Sequence, residues 1–77
     1  RAYNALGTCY LKADQTQDAL LAFLHVDLLF NQPPEAHAEA LYHLGKLWRS
    51  MNHAERANRA RSTLVNRYSG SPWANRE

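Results

Sequence analysis

With 77 residues and a single cysteine, Cys9, the chain is at most one small domain, and no internal disulfide can staple it. Nine Lys and Arg against seven Asp and Glu leave a modest net charge of +2. No apolar run approaches the roughly 18 to 20 residues that a bilayer crossing needs.

The charge is unevenly spread. Residues 1–40 carry Arg1 and Lys12 against Asp14, Asp18, Asp27, Glu35 and Glu39, a net of −3. Residues 41–77 carry Lys46, Arg49, Arg56, Arg59, Arg61, Arg67 and Arg76 against Glu55 and Glu77, a net of +5. Two such ends can attract each other between copies, or steer an acidic partner to the second half. The chain enters helix-like sequence directly at Arg1, which suggests a piece of a longer protein; a signal peptide or anchor would then lie outside it.

A first helix is predicted over about 1–13, where Tyr3, Leu6, Gly7 and Tyr10 share one face at 3.6 periodicity. "KADQTQ" interrupts that pattern. Asp14, with Gln17 three residues on, reads as a capping pair for a second helix over about 15–31. That helix turns Ala19, Leu20, Phe23, Val26 and Phe30 inward. Pro33 disfavours helical geometry at Gln32, and Pro34 suits a first helical position because its missing N–H would be unpaired there anyway. A third helix is predicted over about 34–50 with Leu41, Leu44, Leu47 and Trp48 as its apolar stripe. Asn52 with Glu55 reads as the cap of a fourth over about 53–68, and Gly70 as its left-handed closing residue. Ser71 and Pro72 look like the cap and first residue of a further helix over 71–77.

These elements recur. Sliding the chain by 38 residues superposes Ala2 on Ala40, Leu6 on Leu44, Gly7 on Gly45, Ala19 on Ala57, Ala22 on Ala60, Pro34 on Pro72, Ala36 on Ala74 and Glu39 on Glu77. About two or three identities are expected by chance at ordinary residue usage. A period of this size predicts two helix-turn-helix units, 1–33 and 34–70, stacked as a fragment of an α-solenoid. Mid-helix glycine costs about 1 kcal/mol relative to alanine. Gly7 and Gly45 at matched points therefore predict close helix approach, with Ala19 and Ala57 as candidates for the opposing side.

The pattern resembles the tetratricopeptide repeat, W-x2-L-G-x2-Y, then A-x3-F, then P. Tyr3, Leu6, Gly7, Tyr10, Ala19, Phe23 and Pro33 or Pro34 occupy those places in the first unit; Leu41, Leu44, Gly45, Trp48, Ala57 and Pro72 do so in the second. The family period is 34, so roughly one extra helical turn is spent here, most simply where "PPEAHAEAL" precedes the third helix's stripe. Arg61 stands where Phe23 stands, which suggests an edge or a docking surface. The longer period and "RYSGSPWA" are similar to a subset of tetratricopeptide proteins of the bacterial cell envelope, and that likeness implies an envelope or periplasmic location.

Catalytic and cofactor chemistry find no constellation. His25, His37, His43 and His53 lack the i,i+4 spacing that puts two metal ligands on one helical face, and "GTCY" lacks a phosphate-cradling pattern. Cys9 and His43 would need an orienting group and an oxyanion feature, and Cys9 beside an apolar stripe reads as a buried, inert thiol. The resemblance implies instead a non-enzymatic protein-interaction scaffold, with no cofactor, whose first helices line a concave groove. The positions that it places there are Asn4, Thr8 and Lys12, then Tyr42, Lys46 and Arg49, a set suited to an extended acidic peptide. Asn4 and Thr8 do not match the family's clamp for chaperone C-termini. Two other readings stand beside this one. Self-association through exposed repeat ends, Trp73 included, would give a homodimer. A stripe of Arg56, Arg59 and Arg67 with Asn66 would contact phosphates, although few aromatics interleave with it for base stacking.

Overall fold

The computed structural model describes residues 2–29 and 34–75, and of residues 2, 3 and 29 the backbone alone. Four helices succeed one another, α1 (Ala2–Lys12), α2 (Thr16–Leu29), α3 (Pro34–Ser50) and α4 (Ala54–Arg67), with no strand among the described residues. The chain is therefore all-α. α1 pairs with α2 and α3 with α4 as helical hairpins, and α2 lies against α3 to join them. No Cα of α2 approaches one of α4 within 8 Å among the described residues, so α3 separates the two. Among the described residues no helix is long and apolar enough to cross a membrane. The predicted Phe30, Gln32 and Pro33 features lie outside the described residues.

The core is the one that the 3.6 periodicity picks out. Ala19, Leu20, Phe23 and Val26 of α2 meet Leu41, Leu44 and Leu47 of α3, with Ala60 and Leu64 of α4 behind them. Leu6 departs from this pattern: it is 42% exposed, whereas its counterpart Leu44 is 2% exposed. Leu44 belongs to the core cluster, whereas Leu6 lines an open surface hollow with Tyr10 and with Asp18, Leu21, Ala22 and His25 of α2.

The turns within both hairpins are built alike. Asp14 and Asn52, 38 residues apart, adopt φ of 63° and 64°. At the first turn the Asp14 N–H donates to the Leu11 carbonyl at 3.0 Å and the Gln15 N–H to the Tyr10 carbonyl at 2.8 Å. At the second, Asn52 donates to Arg49 at 3.1 Å and His53 to Trp48 at 2.8 Å. This is a Schellman closure, in which a left-handed residue lets the chain satisfy the last carbonyls of the finished helix. Asp14 and Asn52 thus close α1 and α3 rather than cap α2 and α4, which corrects the sequence expectation. Asp and Asn tolerate left-handed geometry better than other non-glycine residues, and here that property prevails over their capping preference. His53 is the N-cap of α4 and makes no side-chain capping bond. The His53 ring instead packs edge-on to Trp48, 5.4 Å between centroids, the apolar contact that accompanies such closures.

Gly70 is also not left-handed, since no glycine of the described chain has positive φ. α4 closes at Tyr68, whose N–H reaches the Leu64 carbonyl, and a turn from Ser71 N–H to Tyr68 O at 2.8 Å redirects the chain. Ser71 does act as a cap: its hydroxyl accepts from the Trp73 N–H at 3.1 Å, although residues 72–75 form turns rather than an α-helix. Trp73 folds back onto Tyr42 and His43, with centroids 5.2 and 5.7 Å away, so its ring is half-buried rather than presented as a free end.

The two matched glycines serve different contacts. A Cβ on Gly7 would sit 2.6–2.9 Å from three atoms of the Phe23 ring, closer than such atoms approach. A Cβ on Gly45 would meet only the Ala57 carbonyl at 3.7 Å, an ordinary contact. Gly45→Ala is therefore expected to stabilise the chain by up to about 1 kcal/mol through helix propensity. Urea unfolding checks this, and a loss of stability would mean that α3 and α4 approach more closely than these distances imply.

Candidate functional site

The unequal filling above the two glycines leaves a small hollow of about 10 Å³ in the second hairpin, a cleft with room for about one water. In the first hairpin the Phe23 ring lies over Gly7. In the second, Arg61 takes the equivalent place, is exposed, and leaves the surface beside Gly45 open. The cleft runs between α3 and α4, with Leu41, Leu64 and Val65 as its apolar lining and Ala74 closing one side. Tyr42, Lys46 and Arg49 of α3 line it together with Arg61, and none of its lining residues among the described ones is acidic. Lys46 Nζ sits 5.3 Å from the centroid of the Tyr42 ring, a cation–π contact that holds the ammonium at the rim. Tyr42 is itself braced from behind by Trp73. Three cations around an apolar hollow attract carboxylates while offering an aliphatic and aromatic floor.

The structure thus brings together three of the six sequence-predicted binding residues and separates them from the others. Asn4 is 3% exposed, and its Nδ2 donates to the Ala36 carbonyl at 3.0 Å and to Glu39 Oε1 at 3.3 Å. Its amide is taken up by the first turns of α3, the stretch that a repeat reading of the sequence counts as added, so its Nδ2 is not offered to a groove. Asn4 Oδ1 is a buried side-chain oxygen without a partner among the described residues. Thr8 is half-buried, and its hydroxyl donates to the Asn4 carbonyl at 3.0 Å. Lys12 is exposed at the last turn of α1.

Sequence reasoning did not find the most connected polar group. His37, 2% exposed in the added stretch of α3, places Nε2 2.5 Å from Asp27 Oδ1 of α2 and Nδ1 2.6 Å from the Tyr68 hydroxyl beyond α4. With a neutral ring and an ionised carboxylate, Nε2–H donates to Asp27 and the Tyr68 O–H donates to Nδ1. Both ring nitrogens are committed, and the trio ties three parts of the chain at one point. Nothing in the spacing marks it, since the partners lie 10 and 31 residues away along the chain.

Neither the cysteine nor the other histidines build a second site. Cys9 is exposed rather than buried, because it lies off the face of α1 that meets α2. His43 stacks on Phe23, with centroids 4.6 Å apart, and its Nε2 lies 4.0 Å from Glu39 Oε2. Among the described residues no three His, Cys, Asp or Glu gather as metal ligands. On the outer surface, the Arg56 guanidinium stacks over Trp48 at 5.1 Å and that of Arg67 over Tyr68 at 5.4 Å. Comparison with protein-family models, with curated proteins and with solved structures finds no match to this chain.

Proposed function

We propose that this chain is a non-enzymatic protein-interaction scaffold of tetratricopeptide-like helical hairpins, which holds an extended acidic peptide across the cationic surface that surrounds the small cleft between α3 and α4. The observation that carries this reading is the charge of that surface: Lys46, Arg49 and Arg61 converge around an apolar lining. Carboxylates of a peptide would meet the two guanidinium groups as paired donors, and Lys46 as a point charge. Apolar side chains of the same peptide would cover the exposed Val65. Lys12, exposed on α1, is left for a more distant part of the ligand, while Asn4 and Thr8 serve the chain's own packing.

The repeat reading draws support from the matched left-handed closures at Asp14 and Asn52 and from the docking of α2 on α3. Under that reading the added stretch at the start of α3 is the extra turn that stretches the period to 38.

A fluorescein-labelled peptide of alternating Glu and Ser tests the site by fluorescence anisotropy. Wild-type protein is expected to bind it, more weakly as salt is raised. Lys46→Glu combined with Arg49→Glu is expected to abolish binding while far-UV circular dichroism stays unchanged, because both side chains are exposed. Unchanged affinity in that variant would remove both residues from the site.

A further inference from the structure

α2 carries leucines on its outer side as well as its core side, among Gln17, Asp18 and His25, and those outer leucines are not covered. Ala19, Phe23 and Val26 are buried against α1 and α3, as an amphipathic helix would bury them. On the opposite side Leu21 is 61% exposed and Leu28 71% exposed. They lie seven residues apart, two turns on the same face, with Leu24 half-buried between them. Leu28 and Leu24 also form one wall of a groove on this surface. Its floor is Leu44 and Trp48 of α3, and its other wall is Arg56 and Arg59 of α4, the helix that α2 does not touch.

We propose that this surface joins two copies of the chain, with α2 of each copy lying in the α2–α4 groove of the other. Charge selects this occupant. α2 carries Asp18 and Asp27 and no Lys or Arg, whereas α4 carries Arg56, Arg59, Arg61 and Arg67 against Glu55 alone. A second α2 in the groove therefore brings a leucine stripe to the apolar floor and the exposed Asp18 towards an arginine wall. Asp27 lies on the α2 wall, across the groove from Arg56 and Arg59, so an incoming carboxylate is directed to the α4 side. The geometry is self-complementary as well. The stripe that enters the partner's groove ends at Leu28, which is part of the wall of its own groove, so one two-fold axis serves both contacts. That is the requirement of an isologous dimer. The interface lies on the α2–α4 surface, while the peptide cleft opens beside Gly45 and Arg61, so neither proposal depends on the other.

Sedimentation equilibrium of the whole chain, from low micromolar to near-millimolar concentration, tests the dimer. Wild type is expected to follow a monomer–dimer equilibrium. Leu28→Lys is expected to weaken it at least tenfold, and Arg59→Glu to weaken it by a smaller factor that shrinks as salt is raised. Both positions are exposed, so helicity by circular dichroism should stay at the wild-type level and exclude misfolding as the cause. A wild type that stays monomeric throughout overturns the proposal, as does a dimer that Leu28→Lys leaves intact. Lys46→Glu with Arg49→Glu should leave the dimer unchanged, which separates failure here from failure of the peptide cleft.

Discussion

Phe23→Ala is expected to abolish cooperative unfolding of the chain. Phe23 is fully buried, lies over the backbone of α1 at Gly7, and stacks on His43 of α3 with centroids 4.6 Å apart. One ring thus supports both helices that flank α2. Emptying a buried phenylalanine site costs about 3–5 kcal/mol. A core in a domain this small supplies about the same amount. The urea transition seen in wild type should therefore broaden into a gradual loss of helical signal. A cooperative transition shifted by less than about 1 kcal/mol would mean that the α1–α2 contact adds little to stability, contrary to that packing.

Gly7 tests the same contact from the other side. Gly7→Ala removes the propensity penalty of a mid-helix glycine, about 1 kcal/mol, but drives a methyl group into the Phe23 ring, and overpacking of this kind costs about 1–3 kcal/mol. The net effect is expected to be destabilising. In a Phe23→Leu background the ring atoms that obstruct the methyl are gone, and the sign should reverse. Strict additivity of the two substitutions would show that the ring and the glycine do not interact.

The contrast between Gly7 and Gly45 shows how far sequence reasoning reaches. Both glycines mark close helix approach when read as a repeat, and the helices around them lie within a few residues of their predicted bounds. What stands opposite each glycine depends on the residue 16 positions later, Phe23 in one case and Arg61 in the other. The pattern shows that substitution, but not that it opens a cationic cleft, because the result depends on where the arginine's long side chain goes. The turns at Asp14 and Asn52 illustrate a different limit. Asp and Asn suit both a helix N-cap and a left-handed closing residue, and in a three-residue connection the two sites are adjacent. Composition cannot separate them; the hydrogen bonds to Tyr10 and Trp48 do. Asn4 shows a third limit. Its helical register points it towards the expected groove, but the first turns of α3, the added stretch of the repeat reading, accept its hydrogen bonds. The 38-residue interval is visible in the sequence, and the position of that stretch against α1 is a tertiary fact.

That added stretch also holds the polar contact whose loss should be most informative. His37→Leu keeps a similar apolar volume but removes both hydrogen bonds, leaving Asp27 without its donor and Tyr68 without its acceptor. Hydrogen bonds to a charged group contribute about 1.5–3 kcal/mol, and neutral ones about 1 kcal/mol. Asp27 is partly solvated, so water recovers some of the loss. His37→Leu is therefore expected to cost about 2–3 kcal/mol in urea unfolding. Tyr68→Phe breaks only the second bond and is expected to cost about 1 kcal/mol. Because the Tyr68 bond is already absent in His37→Leu, adding Tyr68→Phe to it should cost almost nothing further, and the cycle then reports the coupling directly. A second readout separates this tether from general loss of stability. Tyr68 begins the segment that lays Trp73 on Tyr42 and His43. In a Trp48→Phe background, either substitution should shift Trp73 emission towards that of a solvated indole under conditions where circular dichroism still reports a folded chain. An unshifted emission maximum would mean that aromatic stacking alone holds the segment, and that the Asp27–His37–Tyr68 contacts act only on α2 and α3.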